Sequence, residues 1–403
     1  MRSDTARPFV GSVVQVRFAP KCRLRWLVTR TLPVVALLVG CGSSVGESVS
    51  GERRPAAASV APTSGGAAGS GSGLTPSTLR EAAVGAERWI GAALTSVHLG
   101  EVDYATVAAR EFNYLTPENE MKWSLTEANP NEFTFARADA LVAFAEEHQM
   151  RVKGHCLVWH NQLPAWVSAL GTADEVRQAM TNHIQQVTGH FKGKLAAWDV
   201  VNEAIDDGTG NALRNSVFYQ QLGETFIDEA FRIARAADPS ALLFYNDYGT
   251  EGLGGKSDAV YALVKRMVSA GVPIDGVGLQ MHIGGTGYPS AAEIAANIMR
   301  LGNLGLLVNI SELDVNLCGI AGTQTDKFEL QRQRYHEVIA ACVAAPKCHA
   351  ITLWGVTDKY SWLNRFAACA NPELDGNPWP LPWDDSYVTK PAWAGMIDAL
   401  RGR

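Results

Sequence analysis

A chain of 403 residues with 47% hydrophobic and 19% charged content is ordinary globular material, long enough for one large domain or two small ones. Its 35 basic and 41 acidic residues leave a formal net charge of -6. No dense Lys/Arg cluster follows residue 54, which argues against nucleic acid and favours neutral or weakly charged partners.

The first 41 residues read as an address. Arg17, Lys21, Arg23, Arg25 and Arg30 precede the apolar TLPVVALLVG of residues 31–40, a secretory core too short to span a membrane. It ends in Leu38-Val39-Gly40-Cys41, which resembles a bacterial lipoprotein processing site. Residues 1–41 are therefore expected to be a lipoprotein-type signal peptide, with Cys41 lipidated as the new N-terminus. An ordinary signal peptide cut nearby is the alternative, and the long basic region leaves a start downstream of Met1 open. Residues 42–73, rich in Gly, Ser, Ala and Pro around GAAGSGSG, read as a flexible tether. The folded domain is expected over 74–403.

Strong apolar segments then recur in chain order: WIGAAL (89–94), FNYLT (112–116), VKGHCLVW (152–159), AAWDVVN (196–202), LLFYN (242–246), VGLQMH (277–282), LLVNISEL (306–313) and HAITLWG (349–355). Helical patterns such as FIDEAFRIARAA (226–237) and DAVYALVKRMVSA (258–270) fill several gaps. Strand, helix, strand to a count of eight predicts an α/β fold, a (β/α)8 TIM barrel forming a single domain.

Five cysteines lie in this region. Cys342 and Cys348 can close a small loop around Pro346; a Cys318–Cys369 pair stays open, and Cys156 reads as a buried free thiol. No C-x-x-C pair is present, which argues against structural zinc.

The segment ends carry the chemistry. Glu118, Asn119 and Lys122 follow the second strand, His155 and Trp159 sit late on the third, and Asn202-Glu203 and Asn246-Asp247 end the fourth and fifth. Gln280 and His282 finish the sixth, Glu312 and Asp314 the seventh, and Trp354 the eighth. Parallel strands in a barrel bring their C-terminal ends to one face, so these groups should converge there.

Glu203 and Glu312 each interrupt an apolar strand end, 109 residues apart, on roughly opposite sides of the mouth. Such a pair suits glycosidic hydrolysis: one carboxyl protonates the leaving oxygen, the other attacks or supports the anomeric carbon. A chain Asp314, His282, Glu312 would orient and charge the nucleophile, and the negative Glu312 would favour a protonated Glu203. Asp199 and Asp314 are the expected supporting carboxylates. His155, His160 and His282 raise a metal hydrolase as a rival, but 155 and 160 are five apart and should face opposite ways on a period-two strand. Neither a metal nor a cofactor is expected. Trp123, Trp159, Trp166, Trp354 and Trp362, beside Asn119, Gln162, Asn202 and Gln280, suit sugar rings with their C–H faces and hydroxyl edges.

TPENEMKWS (116–124), VKGHCLVWHNQLPAWV (152–167), WDVVNEAIDD (198–207), YNDYG (245–249), GVGLQMHI (276–283), NISELDV (309–315) and LWGVTDKYSWL (353–363) resemble, in order, the signatures of family 10 glycoside hydrolases, the endo-1,4-β-xylanases. The resemblance implies a retaining (β/α)8 enzyme that cleaves internal bonds of xylan, with Glu203 as acid/base and Glu312 as nucleophile. It implies that Glu118, Asn119 and Lys122 grip the next sugar on the non-reducing side, with Trp159 and Gln162 nearby. His155, Asn202, Gln280 and His282 would line the reacting sugar, Asn202 holding its 2-hydroxyl, with Trp354 and Trp362 as floor and wall. Cys156 and Ser311 stand where Thr is usual, and Trp393 where Tyr is frequent.

Partners implied are xylan and xylo-oligosaccharides, with membrane contact only through Cys41. The chain is expected to be a secreted, anchored monomer at the cell surface or in the periplasm. A same-fold β-1,4-glucanase or mannanase is the nearest rival, and a non-catalytic glycan-capture lipoprotein the rival of another class.

Overall fold

The computed structural model describes residues 77–208, 210, 212–365 and 377–403. The expectations on the leader, Cys41, the 42–73 tether and Cys369 fall outside them. None of the described helices is long and apolar enough to cross a membrane.

Nine strands are described: β1 Trp89–Leu94, β2 Tyr114–Pro117, β3 Arg151–Trp159, β4 Ala197–Asn202, β5 Leu242–Asp247, β6 Gly276–Leu279, β7 His282–Gly284, β8 Leu307–Asn316 and β9 Cys348–Leu353. β1 to β6 pair in sequence, β6 pairs with β8, β8 with β9, and β9 returns to β1, every pair parallel. The expected eight-stranded barrel is therefore closed, each of β1–β6, β8 and β9 having a neighbour on both sides.

One element departs from the sequence expectation. The sixth strand breaks after Leu279, because Met281 has a left-handed backbone with φ 66°. Its continuation, β7, pairs only with β8, His282 opposite Asp314. The interruption lets Gln280 and His282, which a straight strand would aim alike, reach different carboxylates.

Helices α1 Leu79–Gly85, α2 Val102–Glu111, α3 Trp123–Thr126, α4 Ala136–Glu147, α5 Ala165–Ser168, α6 Ala173–His190, α7 Val217–Leu222, α8 Thr225–Ala237, α9 Gly255–Ser269, α10 Ala291–Gly302, α11 Gln324–Ala344 and α12 Pro391–Leu400 complete the described architecture. α8 buries Phe226, Ile227, Ala230, Phe231 and Ala234, the spacing of a single apolar stripe. Reciprocal caps start α6 (Thr172 with Glu175), α10 (Ser290 with Glu293) and α11 (Thr323 with Asp326), satisfying amides that a helix start leaves unpaired. Between sheet and helices, the fully buried Trp198 of β4 packs near Phe191. A Cβ at Gly154 on neighbouring β3 would come within 2.2 Å of that indole, so only glycine lets the ring lie there.

Cys342 at the end of α11 and Cys348 at the start of β9 form a disulfide, as their spacing suggested. Cys156 is a buried free thiol, and burial pushes its pKa well up, which makes it inert at neutral pH. The disulfide ties a helix end to a barrel strand through a short loop, where the chain-entropy model gives about 2 kcal/mol. A Cys342→Ala/Cys348→Ala variant should lose about that much stability in urea denaturation.

Candidate active site

Glu203 follows the last residue of β4 in a left-handed conformation, φ 55°. Its amide donates to the Asn246 carbonyl at 2.8 Å. Its carboxylate accepts from Trp159 Nε1 at 2.7 Å and from Gln280 Nε2 at 2.9 Å. Two donors, one at the end of β3 and one in the break between β6 and β7, fix the plane of the carboxyl group.

Glu312, buried on β8, accepts from Asn246 Nδ2 at 2.7 Å and lies 3.2 Å from His282 Nε2. His282 Nδ1 is 2.9 Å from Asp314 Oδ2, which also accepts from Trp362 Nε1 at 2.8 Å. The order Asp314, His282, Glu312 is the one read from the sequence. Behind them, Asp199 holds Lys153 at 2.8 Å and His155 at 2.9 Å.

One amide network joins the two glutamates. Gln280 Nε2 reaches Glu203 and, at 3.3 Å, Asn202 Oδ1; Asn246 Nδ2 reaches the same Asn202 oxygen at 2.9 Å and also Glu312. Two donors on Asn202 Oδ1 fix the amide's orientation, and Asn202 Nδ2 is left buried with no protein partner. Space for Asn246 comes from β6: a Cβ on Gly278 would sit 2.1 Å from Asn246 Oδ1.

The charges are strongly perturbed. Burial alone would raise the pKa of Glu312, but the His282 hydrogen bond and the electrostatic pull of His155, His282 and Lys153 outweigh it and hold the carboxyl down at about 2. Burial would lower His282, but Asp314 and Glu312 on its two sides raise it to about 10. The Glu312 contribution to stability is thus present above its ordinary 4.5 and lost as pH falls through about 2. The His282 contribution is complete below its ordinary 6.5 and lost as pH rises through about 10.

Around this centre, Lys122 Nζ donates to Asn119 Oδ1 at 3.0 Å and stands 4.9 Å over the Trp159 ring, with Gln162 Nε2 3.3 Å from the same Asn119 oxygen. Trp354 meets the rings of His155 and His282 edge-on, and Trp362 meets His282. Glu118, Asn119 and Trp362 continue into a cleft of about 530 Å³ that runs to Tyr360 and Arg365. Apart from Trp123 and Trp166, the polar and aromatic strand-end residues singled out in the sequence thus lie near one another around Glu203 and Glu312. The neighbouring Glu120 does not share it: its carboxylate accepts from Thr95 and Ser96 and ties down the loop after β1.

Two expectations need correction. Trp123 is buried and stacks on His183 of α6 at 3.8 Å, and Trp166 packs edge-on against Trp123 and donates to the Glu127 carbonyl, so both indoles belong to the helical layer. His155 and His160 do not face opposite ways: His160 Nδ1 lies 4.0 Å from Glu203 Oε2. The β3 register slips between His155 and Val158 and the strand ends at Trp159, so period two does not carry through. Among the described residues no His, Cys, Asp and Glu group is arranged to hold a metal ion.

Sequence reasoning missed Lys153, Tyr245 and Arg214 as parts of this site. Lys153 was detectable as a charge inside an apolar strand. Tyr245 looked like core, and Arg214 comes from an irregular loop without periodic signal.

The family model described as glycosyl hydrolase family 10 matches residues 78–399. Endo-1,4-beta-xylanase B of Thermotoga neapolitana is 38% identical over 300 residues, covering 74% of this chain and 83% of that protein. Endo-1,4-beta-xylanase 2 of Aureobasidium pullulans is 39% identical over 328 residues, covering 78% and 87%. Among solved structures, native xylanase 10B of Thermotoga maritima superposes with a TM-score of 0.76 at 39% identity, covering 81% of this chain and 98% of that one. Xylanase 10B of Thermotoga petrophila, in complex with xylobiose, gives 0.76 at 38%, covering 82% and 98%. With a barrel closed in the same way and a match running through nearly all of its described residues, the chain belongs to glycosyl hydrolase family 10.

Proposed function

We propose that this chain hydrolyses internal β-1,4-xylosidic bonds of xylan with retention of configuration, Glu312 acting as nucleophile and Glu203 as acid and base. The observation that carries the reading is the meeting of Glu203 and Glu312 through one shared amide network at the barrel mouth. The names of the relatives supply the sugar.

In the first step Glu203 gives its proton to the glycosidic oxygen as the bond from that oxygen to the anomeric carbon breaks. A Glu312 oxygen bonds to the same carbon, forming a covalent xylosyl ester. In the second step a water oxygen attacks that carbon, its proton passes to Glu203, and Glu312 leaves as carboxylate. Glu312 is suited to attack because it stays ionised at working pH beside an imidazolium. Asn202 Nδ2, buried and unpaired by protein, is a ready donor for the sugar 2-hydroxyl, where charge in the transition state strengthens the contact. Trp159, Trp354 and Trp362 offer apolar faces to sugar rings, while Glu118, Asn119, Lys122 and Gln162 offer polar atoms for hydroxyls.

We also propose that residues 1–41 export the chain and that Cys41 carries a lipid, with 42–73 as the tether. Labelled palmitate should enter the wild type and be lost in Cys41→Ser; a label that persists in the variant would refute the anchor.

Reducing-sugar release from xylan should exceed that from carboxymethylcellulose and mannan, and rapid turnover of cellulose beside silent xylan would end the xylanase assignment. Glu312→Ala should abolish hydrolysis of every substrate. Glu203→Ala should still be xylosylated by dinitrophenyl β-xylobioside, whose leaving group needs no proton, and lose activity on xylan.

His282→Gln removes the imidazolium that lowers Glu312 and leaves the burial that raises it. The acid limb of kcat/KM should therefore move to higher pH, measured on an aryl xylobioside. An unmoved limb would show that His282 does not set the ionisation of Glu312.

A further inference from the structure

The segment after Glu203 is gripped more tightly than a barrel loop requires. Tyr245, fully buried on β5, accepts at its hydroxyl from the Ala204 amide at 3.0 Å and from the Ile205 amide at 3.3 Å. The same hydroxyl donates to Asp247 Oδ2 at 2.6 Å. Asp247, also fully buried, is held on its other oxygen by Lys256 Nζ at 2.9 Å and by the Tyr248 amide at 2.9 Å. From the outer side, Arg214 donates to the Glu203 and Ile205 carbonyls, each at 3.1 Å, and pairs with Asp207, which also binds Lys256.

A glutamate at φ 55° is in a conformation that side chains other than glycine and asparagine seldom take. Such a backbone persists where its surroundings over-determine it. Here the two amides that follow Glu203 point at one phenol oxygen, and the Ile205 amide also reaches Asp247 Oδ2 at 3.4 Å. Because Asp247 takes the phenol proton, the oxygen's remaining lone pairs face those amides.

We propose that Tyr245 and Asp247 are a positioning unit for the acid/base Glu203: the phenol oxygen, oriented by Asp247, pins the left-handed turn and so aims the carboxyl at the glycosidic oxygen. The proposal rests on the assignment of Glu203 made above. Neither residue touches substrate in it. The labour on β5 is divided: Asn246, between them, reaches Glu312 and Asn202 with its side chain, while the side chains of Tyr245 and Asp247 turn to the segment after Glu203.

Tyr245→Phe keeps the ring and deletes the oxygen. A merely structural residue would lower all reactions alike, whereas a positioning residue for the acid/base should affect only steps that need the proton. With phenyl β-xylobioside, whose leaving group requires protonation, kcat/KM should fall about ten- to a hundredfold, the effect of leaving buried amides unpaired. With dinitrophenyl β-xylobioside, kcat/KM should stay near wild type while kcat falls, since removal of the xylosyl ester still needs the base. Added azide, which attacks without base help, should restore that kcat. Asp247→Asn keeps an acceptor facing the phenol and should give the same pattern more weakly, which serves as the test if Tyr245→Phe does not fold.

Equal losses of kcat/KM on both substrates, or no loss on either, overturns the proposal. Glu203→Ala, run alongside, separates the two levels. If it lacks leaving-group dependence and azide rescue, the assignment of Glu203 fails. If it shows them and the Tyr245 and Asp247 variants do not, only the positioning unit fails.

Discussion

Both glutamates of the mouth are tied to one residue, Asn246. Its Nδ2 donates to Asn202 on β4 and to Glu312 on β8, its Oδ1 accepts from Ser311 at 2.6 Å, and its carbonyl receives the Glu203 amide. Three strands distant in sequence are thereby held in register by hydrogen bonds shorter than 3 Å. The amide can do this only because β6 offers no Cβ at Gly278. Glycine there is a condition of the site, since any larger residue would drive Asn246 out of contact with both partners.

The same geometry explains why so much charge can be buried at one end of the barrel. Lys153, Asp199 and His155 form one buried group, and Glu312, His282 and Asp314 another. Ions taken from water lose several kcal/mol each of solvation, and pairing regains it only when lone pairs and protons are otherwise satisfied. Replacement by apolar side chains would suit stability at least as well. What these groups supply is a fixed electrostatic environment around Glu312, with His282 and Lys153 beside it before any substrate enters, so little reorganisation is needed as the reaction proceeds.

The architecture was readable because apolar strands and amphipathic helices are written in local periodicity, and because a polar residue at a strand end is conspicuous against that pattern. The pairing of His282 with Asp314 and Glu312 could be anticipated from neighbouring strand ends. Details set by irregular backbone were not readable. The break at Met281 sends Gln280 and His282 to different glutamates, and the slip in β3 brings His160 toward Glu203. In each case a period-two argument fails at a point where the backbone leaves the strand. Trp123 and Trp166 misled for the opposite reason: an aromatic near a strand end serves a helix contact as well as a sugar, and composition alone does not choose.

The environments of the two glutamates differ in kind, and the difference bears on the proposed roles. Glu312 lies within β8, is buried, and has His282 and Lys153 beside it, conditions that hold a carboxylate ionised and still. Glu203 stands just past its strand on a left-handed turn, and its carboxylate accepts hydrogen bonds from two neutral groups, an indole and an amide. A nucleophile must keep its charge before it attacks. An acid that later serves as base must change its charge twice in each cycle, and neutral donors tolerate both states better than a fixed cation would. Under that assignment the barrel places a permanent charge on β8 and a reversible one beyond β4, with β5 holding each at its proper angle.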